Sequence, residues 1–268
     1  VMDDIVVMRA YKKLIAQIVV AALLVIGSDV RIRSLFGVFG VYELNYFLSV
    51  IFSIVTFIIL VNAYNLIDGI DGLAGIYGVI CFSLFGISYY RLGEYNYPLV
   101  ILSTTIIGTV IGFLYYNLSD RSKKIFMGDT GSMLLGFLLT FTSICFMDIF
   151  IVKKVQGAVF YHLNTAPVMA IAIMILPIID TLNVITIRLA EKRSPFDADK
   201  NHIHHKLLKL GITHKRATLY IISYYLFIVI ISYFLRHVEV NLLLIIILLL
   251  GFLGAYLPDF FYKRKINN

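Results

Sequence analysis

Residues 46–90 read YFLSVIFSIVTFIILVNAYNLIDGIDGLAGIYGVICFSLFGISYY. An apolar run over 46–61 gives way to a short polar stretch over 62–72, and a second apolar run over 73–90 follows. A helix needs roughly 17–25 mainly apolar residues to cross a bilayer. These two runs therefore read as membrane crossings joined at a polar turn. The same reading extends outward to 14–27, 98–116, 132–152, 166–189, 218–235 and 240–257. The expected fold is all-α: a polytopic integral membrane helix bundle with about eight transmembrane helices, in which residues 1–268 form a single catalytic domain.

Composition agrees. Of 268 residues, 60% are hydrophobic and 15% charged, and the mean hydropathy is +0.90; soluble domains are roughly 45–50% apolar and 25% charged. Twenty Phe and eighteen Tyr with no Trp suit a lipid-embedded chain, because Tyr can place its hydroxyl at the headgroup level. Cys81 and Cys145 both lie inside apolar runs, which excludes a disulfide framework and a CxxC metal site. The net charge of +7 does not point to nucleic acid, since the basic residues are scattered between apolar segments instead of forming one stripe.

Their scatter sets the topology. Crossings alternate sides, and Lys and Arg favour the cytoplasm. One set of connections holds Arg9, Lys12, Lys13, Arg121, Lys123, Lys124, the basic residues between Arg188 and Arg216, and Lys263, Arg264 and Lys265; the other holds Arg31, Arg33, Arg91, Lys153, Lys154 and Arg236. The richer set, with the long 190–217 loop, is placed in the cytoplasm.

The polar clusters fall on that same side, although they were not used to assign it. Asn62, Asn65, Asp68 and Asp71 recur every three residues, which on a helical or near-helical turn stacks them along one side. An acid within the membrane costs roughly 2.5–3.5 kcal/mol on insertion scales, so a whole ladder argues for a function beyond capping a helix end. Gly69 and Gly72 let a backbone or ligand approach. Asp129 sits in the turn Gly128-Asp129-Thr130-Gly131-Ser132 ahead of an apolar helix, where backbone N–H groups favour phosphate. Magnesium would reconcile that acid with a diphosphate, because it takes few carboxylates plus phosphate oxygens; the plainer reading is a helix cap.

His202, His204 and His205 lack a Cys partner and zinc spacing, and beside Arg193, Lys200 and Lys206 they suit a phosphate or sugar better. The plainer reading there is a basic loop that enforces topology. Asp3 and Asp4 are adjacent carboxylates, close enough to raise one pKa, or simply acids at a helix start. Asp180, inside the sixth apolar run, is another costly acid, expected to face the bundle interior.

These stretches carry a resemblance. The opening MDD, NAYNLIDGIDGLAG, FMGDTGS and RSPFDADKNHIHHKLLKLG together resemble the polyprenyl-phosphate N-acetylhexosamine-1-phosphate transferases, in family order and over essentially the whole chain. HIHH with the preceding SPFDADK looks like the bacterial N-acetylglucosamine-1-phosphate branch. The resemblance implies a multi-pass enzyme of the bacterial inner membrane, with its active site facing the cytoplasm. There undecaprenyl phosphate attacks the β-phosphate of a UDP-N-acetylhexosamine, releases UMP and starts a lipid-linked envelope glycan. It implies a magnesium cofactor, with manganese as substitute, no nucleic-acid partner, and leaves a homodimer open.

By the same resemblance Asp129 is the principal magnesium ligand with Asn65 assisting, Asp68 and Asp71 shape the nucleotide pocket, and Asn62 is a further substrate-binding candidate. Phe126 stacks on uracil and Asn117 hydrogen-bonds the base. Asp3 and Asp4 meet the lipid phosphate, one as its base, and His202, His204, His205 and Arg193 hold the sugar-phosphate. Two departures stand out. Val7 occupies a position where many relatives have a third acid, and only Val1 and Met2 precede the acidic pair, where the family has roughly three further apolar helices. An N-terminal truncation is thus expected. Three other readings compete: a CDP-alcohol phosphotransferase, whose DG-then-AR aspartate pattern is absent; a transporter, whose acids lie near the bilayer midplane; and an inactive fragment of the transferase.

Overall fold

The computed structural model describes residues 10–119, 123–152, 163–194 and 202–267. Helix α1 (Ala10–Ala22) runs on into a π-helical turn, Leu23–Gly27. An antiparallel hairpin follows, β1 (Ser34–Val38) with β2 (Val41–Glu43), in the register Ser34 opposite Glu43 and Val38 opposite Val41. The remainder is helical: α2 (Tyr46–Ile67), α3 (Leu73–Arg91), α4 (Tyr97–Asn117), α5 (Gly128–Val152), α6 (Ala166–Ile173), α7 (Ile175–Ala190), α8 (Ile203–Lys209), α9 (His214–Phe234) and α10 (Val240–Asn267).

Local chemistry sets the boundaries. The Asn45 side chain accepts the Leu48 N–H at 2.9 Å and so starts α2. Gly72, at φ +75°, makes the left-handed turn into α3. Pro98 lies in the first turn of α4, where its missing N–H costs nothing. The core runs through the bundle, with Tyr64, Tyr77, Phe82, Phe85, Tyr89, Phe146 and Tyr225 fully buried.

Among the described residues six helices are long and apolar enough to cross a membrane, or seven if α6 and α7 form one bent span. The all-α membrane bundle expected from the sequence is thus the observed fold, and two of the expected runs take shapes that hydropathy alone does not give. Among the described residues α1 has 13 residues of regular helix, and it continues directly through the five-residue π turn. The run over 166–189 is not one helix: α6 and α7 meet at Met174 with a bend of 76°. The cause is Pro177, which has no N–H to give the Ile173 carbonyl four residues back. In a bilayer that carbonyl needs another donor. It has three, the Tyr77 hydroxyl at 2.9 Å, the Tyr225 hydroxyl at 3.1 Å and the Cys81 thiol at 3.3 Å, all buried.

Candidate active site

Helices α2 and α5 pack together, and the C-terminal end of one meets the N-terminal start of the other. There Asn65 donates to Ser132 Oγ at 2.7 Å and to Asp129 Oδ1 at 3.3 Å. Lys13, on α1, donates to the other oxygen of Asp129 at 2.6 Å. The Asp129 side chain keeps about half its surface open, 49%.

The four-residue ladder is helical only in its first half. Asn62 and Asn65 lie on α2, but the helix ends at Ile67, and Asp68 and Asp71 occupy the turn before α3. The reason is local: Gly69 and Gly72 interrupt the sequence, and Asp68 leaves helical geometry at φ −77°, ψ 45°. Asn62 accordingly faces α1, donating to Gln17 Oε1 at 2.9 Å. The turn is pinned from three sides. Lys124 reaches Asp71 at 2.5 Å, Thr218 Oγ1 on α9 donates to the Asp71 carbonyl at 3.0 Å, and the Gly72 N–H donates to Asn117 Oδ1 at 2.8 Å.

Asn117 is 6% exposed and also donates from Nδ2 to the Ile125 carbonyl at 2.9 Å. Its amide therefore ties the acidic turn to the segment leading into α5. Phe126 lies on that segment, 75% exposed, with the Lys124 ammonium 5.3 Å from its ring centre. That open aromatic face is available to a flat partner.

The histidine segment closes over the same turn. His202 and His204 are buried, and His205 is half-buried. The His204 and His205 ring centres are 4.2 Å apart. A Cβ on Gly69 would come within 2.2 Å of His204 Nε2, so only a glycine leaves room for the ring. That nitrogen is buried and has no hydrogen-bond partner among the described residues. Burial, then the neighbouring His205, pushes the His204 imidazole down to about 4, so it is neutral at pH 7. Arg193 follows α7 and pairs with Glu191. Asp3 and Asp4 lie outside the described residues.

Asp68 reports the electrostatics of the pocket. Its carboxylate makes no hydrogen bond or ion pair with the described residues, and burial first, then the charges of Asp129 and Asp71, raise it to about 7. The site is rich in hard oxygen donors, and its two lysines, Lys13 and Lys124, are engaged by Asp129 and Asp71 rather than by Asp68. Among the described residues no three His, Cys, Asp or Glu side chains could share one metal ion. The donor set thus fits a small hard cation that takes one or two protein oxygens and completes its shell from phosphate and water.

The lysines Lys13 and Lys124, with Ser132 and Thr218, were not among the residues singled out from the sequence as site candidates. Their partners lie far along the chain, and the signal that could have found them is their place on the basic, cytoplasm-assigned side.

Known proteins bear on this geometry. The profile described as Glycosyl transferase family 4 matches residues 1–147. The chain is 36% identical over 137 residues to the decaprenyl-phosphate N-acetylglucosaminephosphotransferase of Mycolicibacterium smegmatis, a match covering 51% of this chain and 32% of that protein. It is 33% identical over 140 residues to the undecaprenyl-phosphate alpha-N-acetylglucosaminyl 1-phosphate transferase of Yersinia pestis, covering 52% and 35%. With the enzyme of the same name in Salmonella typhi the match is longer and weaker, 28% over 223 residues, or 81% of this chain and 56% of that protein. The chain thus spans between about a third and just over half the length of these relatives. With half of its length inside the family profile, this multi-pass membrane chain belongs to glycosyl transferase family 4.

Proposed function

We propose that the protein transfers N-acetylglucosamine-1-phosphate from the UDP-sugar to undecaprenyl phosphate on the cytoplasmic side of the bacterial inner membrane. The observation that carries this reading is the convergence of Asn65, Asp68, Asp71 and Asp129 with the histidine segment at one end of the bundle. The names of the relatives supply the substrate classes.

In the reaction an oxygen of the lipid phosphate forms a bond to the β-phosphorus of the UDP-sugar. The bond from that phosphorus to the bridging oxygen breaks, and UMP leaves with the electron pair. Most of the catalytic effect in such transfers is alignment and charge neutralisation. Asp129 and Asn65 would hold magnesium, which when bound neutralises diphosphate charge. Lys13 holds the Asp129 carboxylate in place from α1. Asp71, fixed by Lys124 and Thr218, shapes the nucleotide side, and the open ring of Phe126 stacks on the base. Asp3 and Asp4 meet the lipid phosphate, and the histidine segment with Arg193 lies toward the sugar-phosphate.

The test is turnover by the purified protein in detergent with undecaprenyl phosphate and labelled UDP-N-acetylglucosamine. Equal amounts of UMP and lipid-linked N-acetylglucosamine diphosphate are expected. Proton- or sodium-coupled uptake in vesicles without turnover would replace this reading by a transporter.

A further inference from the structure

Asp180 belongs to none of the contacts described above, yet it is one of the most buried charges in the molecule, 2% exposed on α7. A carboxylate at such depth is costly unless its oxygens are satisfied. Both are. Oδ2 lies 2.8 Å from His202 Nδ1, and Oδ1 accepts the Ile203 N–H at 2.8 Å. His202 is the residue that opens α8, and its own side chain caps nothing. A carboxylate from another helix therefore performs the capping.

Two consequences follow from this geometry. With Nδ1 facing a carboxylate, the tautomer that satisfies this contact carries its proton on Nδ1 and presents Nε2 as the acceptor nitrogen. The anchor also fixes the position of the whole segment. The His202 and His204 rings lie nearly parallel, 9° apart with centres 5.8 Å apart, and His204 rests on Gly69 of the acidic turn. A continuous packed path thus leads from Asp180 through His202 and His204 to the turn that holds Asp68 and Asp71. The 76° break before α7 separates this anchored helix from α6, whose last carbonyl is held by Tyr77 and Tyr225.

We propose that Asp180 is a positioning residue for the transfer reaction, acting through His202 to fix its ring and to seat the histidine segment over the acidic turn. This role rests on the transferase reading given above. Asp180 touches no reacting atom in it.

The experiment has two arms. The first measures UMP release by Asp180→Asn, His202→Gln and the double variant; the amide keeps an acceptor for the Ile203 N–H but not a carboxylate for the ring. Asp180→Asn is expected to lose roughly 10- to 100-fold in kcat, the range for carboxylates that orient an imidazole. The double variant is expected to be no slower than His202→Gln alone, because the two residues act as one unit. Multiplying losses in the double variant, or Asp180→Asn within twofold of the parent, overturns the proposal.

The second arm reads the ring directly, from 15N signals of histidine-labelled protein assigned through His202→Gln. The parent is expected to show His202 protonated at Nδ1. A parent His202 protonated at Nε2 alone overturns the proposal, even if Asp180→Asn fails to fold. If the parent releases no UMP at all, the transferase reading falls, and the 15N signals alone decide the anchor.

Discussion

The two ends of the helix bundle differ in how completely their charges are paired. At the end holding the hairpin, Arg33 bonds both oxygens of Asp148, at 2.5 and 2.6 Å, and Asp29 at 2.7 Å. Arg31 pairs with Asp29 at 2.8 Å and lies 4.8 Å from the Tyr46 ring centre. The two guanidinium groups hold the Asp29 carboxyl below its ordinary range. At the other end Asp129 and Asp71 are each held by a lysine, but Asp68 beside them is not and is raised to about 7, and a buried histidine nitrogen has no partner among the described residues. One end is arranged for its own stability. The other is held in a state that a cation and a phosphorylated ligand would relieve, which is where a working site is expected to keep its strained groups.

The largest effect that would sharpen this comparison is on activity at the acidic end. Gly69→Ala places a methyl 2.2 Å from His204 Nε2, and the buried ring must move. UMP release per folded molecule is expected to fall about 100-fold, the scale of a 1 Å misplacement, alongside the roughly 1–3 kcal/mol of stability that overpacking costs. Unchanged turnover would show that the histidine segment need not sit on that turn.

Arg33→Ala is the counterpart at the hairpin end. It leaves Asp148 without its guanidinium partner, and about 1–3 kcal/mol of stability should be lost, between the values for exposed and buried pairs. Turnover per folded molecule should not change. A loss of turnover with intact folding would break the division of labour between the two ends.

Opposed titrations give a smaller effect. A carboxyl raised from 3.8 to about 7 means that the folded protein keeps a proton which the unfolded chain has lost, so the Asp68 contribution to stability falls as pH rises through that window. A histidine lowered from 6.5 to about 4 means that the unfolded chain takes up a proton first, so the His204 contribution falls as pH drops from about 6.5 to 4. The two slopes oppose each other between pH 4 and 6.5. Relative to the parent, Asp68→Asn should become more stable with rising pH in that interval, and His204→Gln less stable. Parallel melting curves for all three proteins would contradict the assignment.

The smallest effect concerns the break between α6 and α7. Tyr225→Phe removes one of three donors to the Ile173 carbonyl, and the Tyr77 hydroxyl and Cys81 thiol remain. About 1 kcal/mol or less should be lost in thermal unfolding. A loss of several kcal/mol would mean that Tyr225 alone satisfies the carbonyl.

Much of this architecture is legible in the sequence, because length and hydropathy mark a membrane helix directly. The apolar runs at 46–61, 73–90 and 98–116 fall within α2, α3 and α4. The bend was less visible: 166–189 is mainly apolar, and past its first turn only Pro177 marks that an N–H is missing. The site was legible as a side, because Lys and Arg sort the loops, and the acidic turn, Asp129 and the histidine segment were assigned together on that basis. Its pairings were not. Lys13 with Asp129 spans 116 residues, and Asp180 with His202 joins a membrane helix to a loop. Spacing within one segment carries no information about such contacts, and the helical ladder expected through Asp71 ended early because glycines intervened.

The most direct test of the central claim is UMP release from UDP-N-acetylglucosamine and undecaprenyl phosphate by the parent and by Asp129→Asn, each with and without magnesium. The account predicts release that requires magnesium and falls at least about 100-fold in the variant, on the scale of losing one electrostatic group at a reacting centre, with folding unchanged. Release that is equal in both proteins, or equal with and without magnesium, would contradict it.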